Sequence, residues 1–313
     1  MGPGALVIGT RGSQLALWQS NHVRDRLRAT HPGLEIEFER ITTRGDAVQD
    51  RPLAAIGRNS LFVAEIEDAL RSGRIRLAVH SAKDLPSTLA DDMTIVAFTT
   101  RADPRDALVS KAGTLAQLPI GARIGTSSPR RACQLKALRP DLVCLDIRGN
   151  VDTRLAKLDR GEYDAIVLAA AGLERLGWSH VVTEFLDADR MVPAVSQGIL
   201  AIEARSGDDE VRTLCASLDD PDARVCAEAE RAFLAAMGAG CNAPLAGFST
   251  LRNNQLTLTA VVGTLDGRTV RVQRSAPRAQ AVALGQDVAA LLVSSGGSAL
   301  LAELAGSNAG ADD

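Results

Sequence analysis

Short apolar runs, each ended by a polar turn and followed by residues at helical spacing, recur through the first two thirds of the chain. Residues 5–8 form one such run. Gly9-Thr10-Arg11-Gly12-Ser13 turns it into a helix, with Ser13 as N-cap and Ala16, Val23 and Leu27 on one stripe. Residues 35–41 alternate apolar and polar, which predicts a strand with one wet face. Phe62, Ile66, Ala69 and Leu70 mark a second helix, and residues 75–79 and 94–98 read as two more strands. After a break at 99–104, strands at 122–125, 142–147 and 165–168 each lead into a helix. Ser128 followed by Pro129 is a strong helix start. This alternation predicts open, mostly parallel sheets with helices on both faces and ligands at the carboxyl ends of the strands. A strand at 199–204 is expected to return to the first sheet. Two α/β lobes joined by two crossing segments would then enclose a cleft.

The pattern changes near residue 220. Val225, Ala229, Ala232 and Ala236, with Phe233 beside them, predict a helix stopped by Gly238 and Gly240. Cys241 follows on a loop between glycines and Pro244. Strands at 256–262 and 269–273 join through a turn at Asp266-Gly267. Helices are expected to about 304, with a disordered tail over 306–313. The fold class is therefore α/β: two doubly wound lobes plus a C-terminal α+β domain. The expected division is 1–99 with 200–217, then 105–193, then 220–313. No internal repeat is visible.

Arginine stands at each strand-to-helix turn of the second run: Arg130 and Arg131, Arg148 and Arg154, and Arg175. A helix N-terminus presents free N–H groups to an anion, and arginine adds bidentate carboxylate recognition. One arginine at such a turn is most often a solvated side chain. Five at three equivalent turns imply a ligand with several carboxylates or phosphates. Arg11, Ser13, Ser81, Lys83 and Asp84 fall at strand ends of the first lobe. No GxxxxGK[ST] or GxGxxG pattern points to a nucleotide.

The net charge of −3 argues against a general nucleic-acid binder, and no apolar run has membrane-span length. Residues 1–9 carry no signal-like region, so a cytoplasmic location is expected. Five cysteines without a CxxC pair, and four scattered histidines, support neither a disulfide framework nor a metal site. A lone cysteine such as Cys241 is either a small buried hydrophobe or, on a loop, a group open to covalent chemistry.

Taken together, Ile8-Gly9-Thr10-Arg11, Thr43-Arg44-Gly45-Asp46, His80-Ser81-Ala82-Lys83-Asp84 and Gly125-Thr126-Ser127-Ser128 with Arg130-Arg131 resemble the porphobilinogen deaminase (hydroxymethylbilane synthase) family. Arg148-Gly149-Asn150 with Thr153-Arg154, Pro193-Ala194 with Gln197-Gly198, and Gly240-Cys241 complete the resemblance, which covers nearly the whole chain. It implies three domains, the first two being lobes of the periplasmic-binding-protein kind, and a dipyrromethane cofactor joined by a thioether to Cys241. It also implies stepwise condensation of four porphobilinogens with loss of ammonia, and release of a linear tetrapyrrole by water. By the resemblance, Ser13, Ser81, Lys83, Asp84, Thr126, Ser128, Arg130 and Arg131 hold the cofactor. Arg11, Phe62, Arg148, Arg154, Arg175 and Gln197 hold porphobilinogen and the growing chain. Asp84 is the catalytic carboxylate, set against the pyrrole N–H groups where positive charge develops as ammonia leaves. A monomer is expected, with no nucleic-acid or membrane partner. Arg58-Asn59-Ser60 and Ser196 depart from the family's usual glycines. The alternatives are a non-catalytic two-lobed receptor for a small polycarboxylate, and a cysteine hydrolase built on Cys241.

Overall fold

Strand β1 (Leu6–Thr10) feeds helix α1 (Gln14–Thr30), whose N-cap Ser13 accepts a hydrogen bond from the Ala16 N–H at 3.2 Å. The structure is a computed structural model that describes residues 5–43, 45, 63–238 and 243–309. Strand β2 (Ile36–Arg40), helix α2 (Ala64–Arg71), β3 (Leu77–Ser81) and β4 (Met93–Phe98) follow. The chain then crosses over at 99–104. It continues through β5 (Asp106–Ser110), β6 (Arg123–Gly125), α3 (Pro129–Leu138), β7 (Val143–Leu145), α4 (Val151–Asp159), β8 (Ala165–Ala169), α5 (Ala170–Arg175) and β9 (Glu184–Leu186). It crosses back at 193–199 into β10 (Leu200–Arg205) and α6 (Asp209–Cys215).

The first sheet has strand order β2-β1-β3-β10-β4 and the second β7-β6-β8-β5-β9. In each, the three leading strands are parallel and the fourth runs antiparallel to both neighbours. That fourth strand is the one the chain enters after crossing over. β10 does return to the first sheet, as its apolar run predicts. The short apolar strand β5 has the same place in the second sheet, and the sequence reading passed over it. Two lobes of one topology thus face each other across two crossing segments, the periplasmic-binding-protein arrangement. Their cores are aliphatic, with Ile8, Leu27 and Leu77 fully buried in one and Leu108, Ile124 and Leu135 in the other. Each such residue contributes about 1.5–3 kcal/mol.

The third unit is an antiparallel sheet of β11 (Leu245–Arg252), β12 (Gln255–Gly263) and β13 (Thr269–Pro277), covered by α7 (Pro221–Ala236) and α8 (Ala281–Leu292). β11 was also absent from the sequence reading. It turns into β12 through Asn253-Asn254, both at positive φ, which asparagine tolerates in a two-residue hairpin turn. The buried face of α7 differs from the expected stripe. Of the expected stripe, Ala229 and Phe233 are buried, together with Ala223, Cys226, Ala227, Glu230 and Leu234, while Ala236 is exposed and Val225 and Ala232 lie between. The helix packs against both the third sheet and lobe 1, so no single stripe describes it. Helix α9 (Ser298–Ala309) runs past Gly306, where a tail was expected.

Buried Glu230 of α7 ties the third unit to both crossings. It takes two hydrogen bonds from Arg101, at 2.9 and 2.7 Å, and accepts from the Ser196 N–H and from Ser249. Arg101 Nε in turn donates to the Gln197 carbonyl at 3.0 Å. Gly198, at φ +93°, lets the crossings touch, since an added Cβ would lie 2.5 Å from the Ala102 carbonyl oxygen. Ser196 sits at φ +58°, which accounts for the glycine the family uses there, and its buried hydroxyl finds no partner among the described residues. A left-handed serine costs about 1–2 kcal/mol, more than the roughly 0.5–1 kcal/mol of chain freedom a glycine adds. Ser196→Gly should therefore stabilise the protein by about 0.5–1 kcal/mol, read as a higher urea midpoint at unchanged slope. A lower midpoint would show that the serine's contacts outweigh its strain.

Candidate active site

The parallel strands of both lobes end at the cleft. Its volume is about 330 Å³, within the usual range of small-molecule sites. Arg11, Ser13, Ser81, Lys83 and Asp84 line it from lobe 1, Arg131, Arg148, Arg154 and Arg175 from lobe 2, and Gln197 and Gly198 from the return crossing. Among its described lining residues, six cationic side chains face two carboxylates, Asp84 and Asp152.

Strand β3 delivers the lobe 1 groups. Ser81 Oγ accepts from Gln19 Nε2 at 2.8 Å, and a single 3-10 turn over Ala82–Asp84 then sets Lys83 and Asp84 at the cleft. Lys83 Nζ donates to Gln197 Oε1 at 3.2 Å. Burial, the largest cause, acts with Arg131 and Arg130 to pull the Lys83 ammonium down to about 8, against Asp84 and Asp106. Gln197 is buried, and its Nε2 donates to the Pro104 carbonyl at 2.7 Å and to Asp106 at 3.1 Å. Its amide therefore locks Lys83 to both crossings. Asp84 is exposed and has no ion pair or side-chain hydrogen bond among the described residues, so its carboxylate is available to a ligand.

On lobe 2, Gly149 at φ +107° makes the turn before α4, and Arg154 Nε donates to its carbonyl at 2.8 Å. Burial first, then Arg131 and Arg148, pull Arg154 down to about 10. Arg175 Nη2 donates to the Gly198 carbonyl at 2.7 Å, and burial pulls it to about 10 as well. Neither arginine has an ion pair among the described residues. Half-buried cations, one of them also repelled by its neighbours, favour an anion that would relieve them.

Three expected cofactor residues do not line the cleft. Arg130 is buried against Asp106 at 2.7 Å and the Val192 carbonyl at 2.9 Å. Thr126 Oγ1 accepts from the Ser128 N–H, and Ser128 caps α3. The placement of Arg130 away from the cleft lining has a simple cause. Adjacent helix residues point about 100° apart, so Arg131 reaches the cleft wall while Arg130 faces the return crossing. Both guanidiniums bind Asp106 and hold it well below the usual carboxylate range, although burial, the largest single influence, pushes the other way. Asp106 opens β5 and was missed with that strand. Asn150, quoted above within a motif but given no role, also lines the cleft, as do Asp152 and Trp178, which the sequence reading did not single out.

Phe62 and Cys241 lie outside the described residues, as do Arg44, Asp46 and the departure at Arg58-Asn59-Ser60. The flanks of the cysteine loop are described. Arg231 of α7 donates to the Pro86 and Ser87 carbonyls, at 2.8 and 3.1 Å, just after Asp84. Pro244 follows the loop, with its carbonyl 4.0 Å from Cys133 Sγ on α3. Cys133, Cys144, Cys215 and Cys226 are free thiols, and burial pushes Cys133 up to about 11 and Cys215 to about 12. No group of metal-binding side chains occurs among the described residues. One helical stretch, Arg278–Glu303, is long and apolar enough by composition to cross a membrane, but it covers the third sheet through Leu284, Val288 and Leu292.

Residues 6–213 match the family model described as "Porphobilinogen deaminase, dipyromethane cofactor binding domain", and residues 224–294 match the model of the family's C-terminal domain. A porphobilinogen deaminase of Roseiflexus castenholzii (strain DSM 13941 / HLO8) is 60% identical over 299 residues, 95% of this chain and 99% of the relative. Those of Roseiflexus sp. (strain RS-1) and Syntrophobacter fumaroxidans (strain DSM 10017 / MPOB) are 57% and 47% identical over 95% of this chain and 98% and 97% of their own. With its two lobes, its arginine-lined cleft and matches along both parts of the chain, this protein belongs to the porphobilinogen deaminase family.

Proposed function

We propose that the protein is a transferase that condenses four porphobilinogens head to tail, with release of ammonia, into hydroxymethylbilane for tetrapyrrole and haem biosynthesis. The observation that carries the reading is Asp84, an available carboxylate inside a cleft where six cationic side chains converge. The residues fit a dipyrromethane, because half-buried Lys83, Arg154 and Arg175 call for a ligand with several carboxylates. When bound, that group supplies the first acceptor pyrrole. We assign Ser13, Ser81, Lys83 and Arg131 to its carboxylates and Cys241 to its thioether attachment. The inert surroundings of the four described cysteines, and the hold of Arg231, ahead of Cys241 in sequence, on the carbonyls that follow Asp84, support that attachment.

Arg11, Arg148, Arg154 and Arg175 bind the acetate and propionate of incoming porphobilinogen, where bidentate pairing fixes the ring's orientation. Asp84 accepts hydrogen bonds from pyrrole N–H, stabilises the positive charge that develops as ammonia departs, and takes up a proton from the substrate. Gln197 positions Lys83. The domain division at 99–105, 193–200 and 217–220, a monomeric state and a cytoplasmic location complete the proposal. The receptor reading is not retained, since the family match extends through the C-terminal unit.

Each addition must find new carboxylate partners, so the arginines serve different chain lengths. Losing one bidentate partner costs roughly 1.5–3 kcal/mol. Brief exposure of Arg148→Leu, Arg154→Leu and Arg175→Leu holoenzymes to porphobilinogen, followed by intact-mass analysis, should show a different rung of the adduct ladder accumulating in each. Ladders identical to the parent's would refute the assignment.

A further inference from the structure

Trp18 and His22 stand one turn apart on α1 of lobe 1, and their rings stack 5.0 Å apart and 8° from parallel. The Arg175 guanidinium, at the end of α5 on lobe 2, lies 5.9 Å from the centre of the Trp18 ring. Next to this pair the lobes touch, where a Cβ added at Gly172 would lie 3.8 Å from Leu15 Cδ2. Trp18 is 36% exposed, and α1 buries Gln19, Ser20, Val23 and Leu27 instead, so the indole is not there to fill a core. A cation over an indole face is attracted by the ring quadrupole. Burial first, then Arg26 and Arg175, hold His22 below its ordinary value against Asp25, which favours the neutral imidazole beside the guanidinium.

Arg175 uses one N–H on the Gly198 carbonyl and has no ion pair among the described residues. A guanidinium held by a carbonyl through one N–H and lying over an indole ring has less freedom to turn its other donors away from the cleft. We propose that Trp18 is a positioning residue for Arg175: across the lobe interface, its ring orients the guanidinium so that the remaining N–H donors meet a carboxylate of the growing chain. The proposal rests on Arg175 as a carboxylate-binding residue.

The test compares holoenzymes carrying Trp18→Ala, Trp18→Leu, Trp18→Phe, Arg175→Leu and the Trp18→Leu/Arg175→Leu pair, by kcat/KM for porphobilinogen and by the adduct ladder. Leucine keeps apolar cover without a π face, so it decides the question even where alanine impairs folding. Trp18→Leu should lower kcat/KM about 2- to 5-fold, the scale of an exposed cation–π contact, and accumulate the same rungs as Arg175→Leu. Trp18→Phe should restore most of the loss, and the double variant should be no worse than Arg175→Leu alone. The proposal is overturned by a Trp18→Leu enzyme like the parent, by a Trp18→Phe enzyme as impaired as Trp18→Leu, or by losses that multiply in the double variant. Parental kinetics and ladder in Arg175→Leu would instead remove the carboxylate-binding role of Arg175, and the proposal with it.

Discussion

Asp84→Asn is expected to lower turnover by roughly 10²-fold or more while leaving the fold and the covalent adduct intact, the scale seen when one preorganised electrostatic stabiliser is removed. The substitution keeps the size of the side chain and removes its charge. Asp84 is exposed and unpaired among the described residues, so no structural ion pair is lost with it. Its surroundings make the effect specific. Lys83, Arg131 and Arg154 stand in the same cleft and are proposed to bind carboxylates, whereas a pyrrole cation needs an anion. The measurement is steady-state turnover alongside the circular dichroism and intact mass of the same sample. Near-parental turnover in a folded, adduct-bearing Asp84→Asn protein would exclude Asp84 from the chemistry.

Cys241→Ser should have the larger effect, with no covalent adduct and no measurable tetrapyrrole. A serine alkoxide is far less available near neutral pH than a thiolate. Alanine at Cys133, Cys144, Cys215 or Cys226 should leave the adduct in place. Of these, Cys133, Cys215 and Cys226 are buried, and burial raises the thiols of all four. Intact mass of the five purified variants separates the cases. An active Cys241→Ser enzyme, or loss of the adduct in one of the other four, would remove Cys241 as the attachment point.

Local signals carried much of this protein. Ser13 and Ser128-Pro129 start their helices as written, because a cap depends on atoms two or three residues away. The strand-helix alternation places the polar turns at strand ends, and most of the arginines read from them do reach the cleft. The family resemblance is likewise a property of short motifs in order. Features that depend on partners distant in sequence were out of reach. Arg130 and Arg131 are equivalent as text; both bind Asp106, 24 and 25 residues away on β5, and only the way the helix seats against lobe and return crossing leaves Arg131 at the cleft and Arg130 away from it. Glu230 reads as a polar residue on a helix until Arg101, Ser196 and Ser249 converge on it. The lobes repeat one strand order without a visible repeat, because topology needs only the apolar pattern and not the residues themselves. Trp18 gives no local sign of its tie to Arg175. Sequence determined which segments become strands and helices, since those preferences act over a few neighbouring residues. Tertiary structure decided which charges are neutralised internally and which face the ligand, because that depends on how two sheets, two crossings and a third unit meet in space.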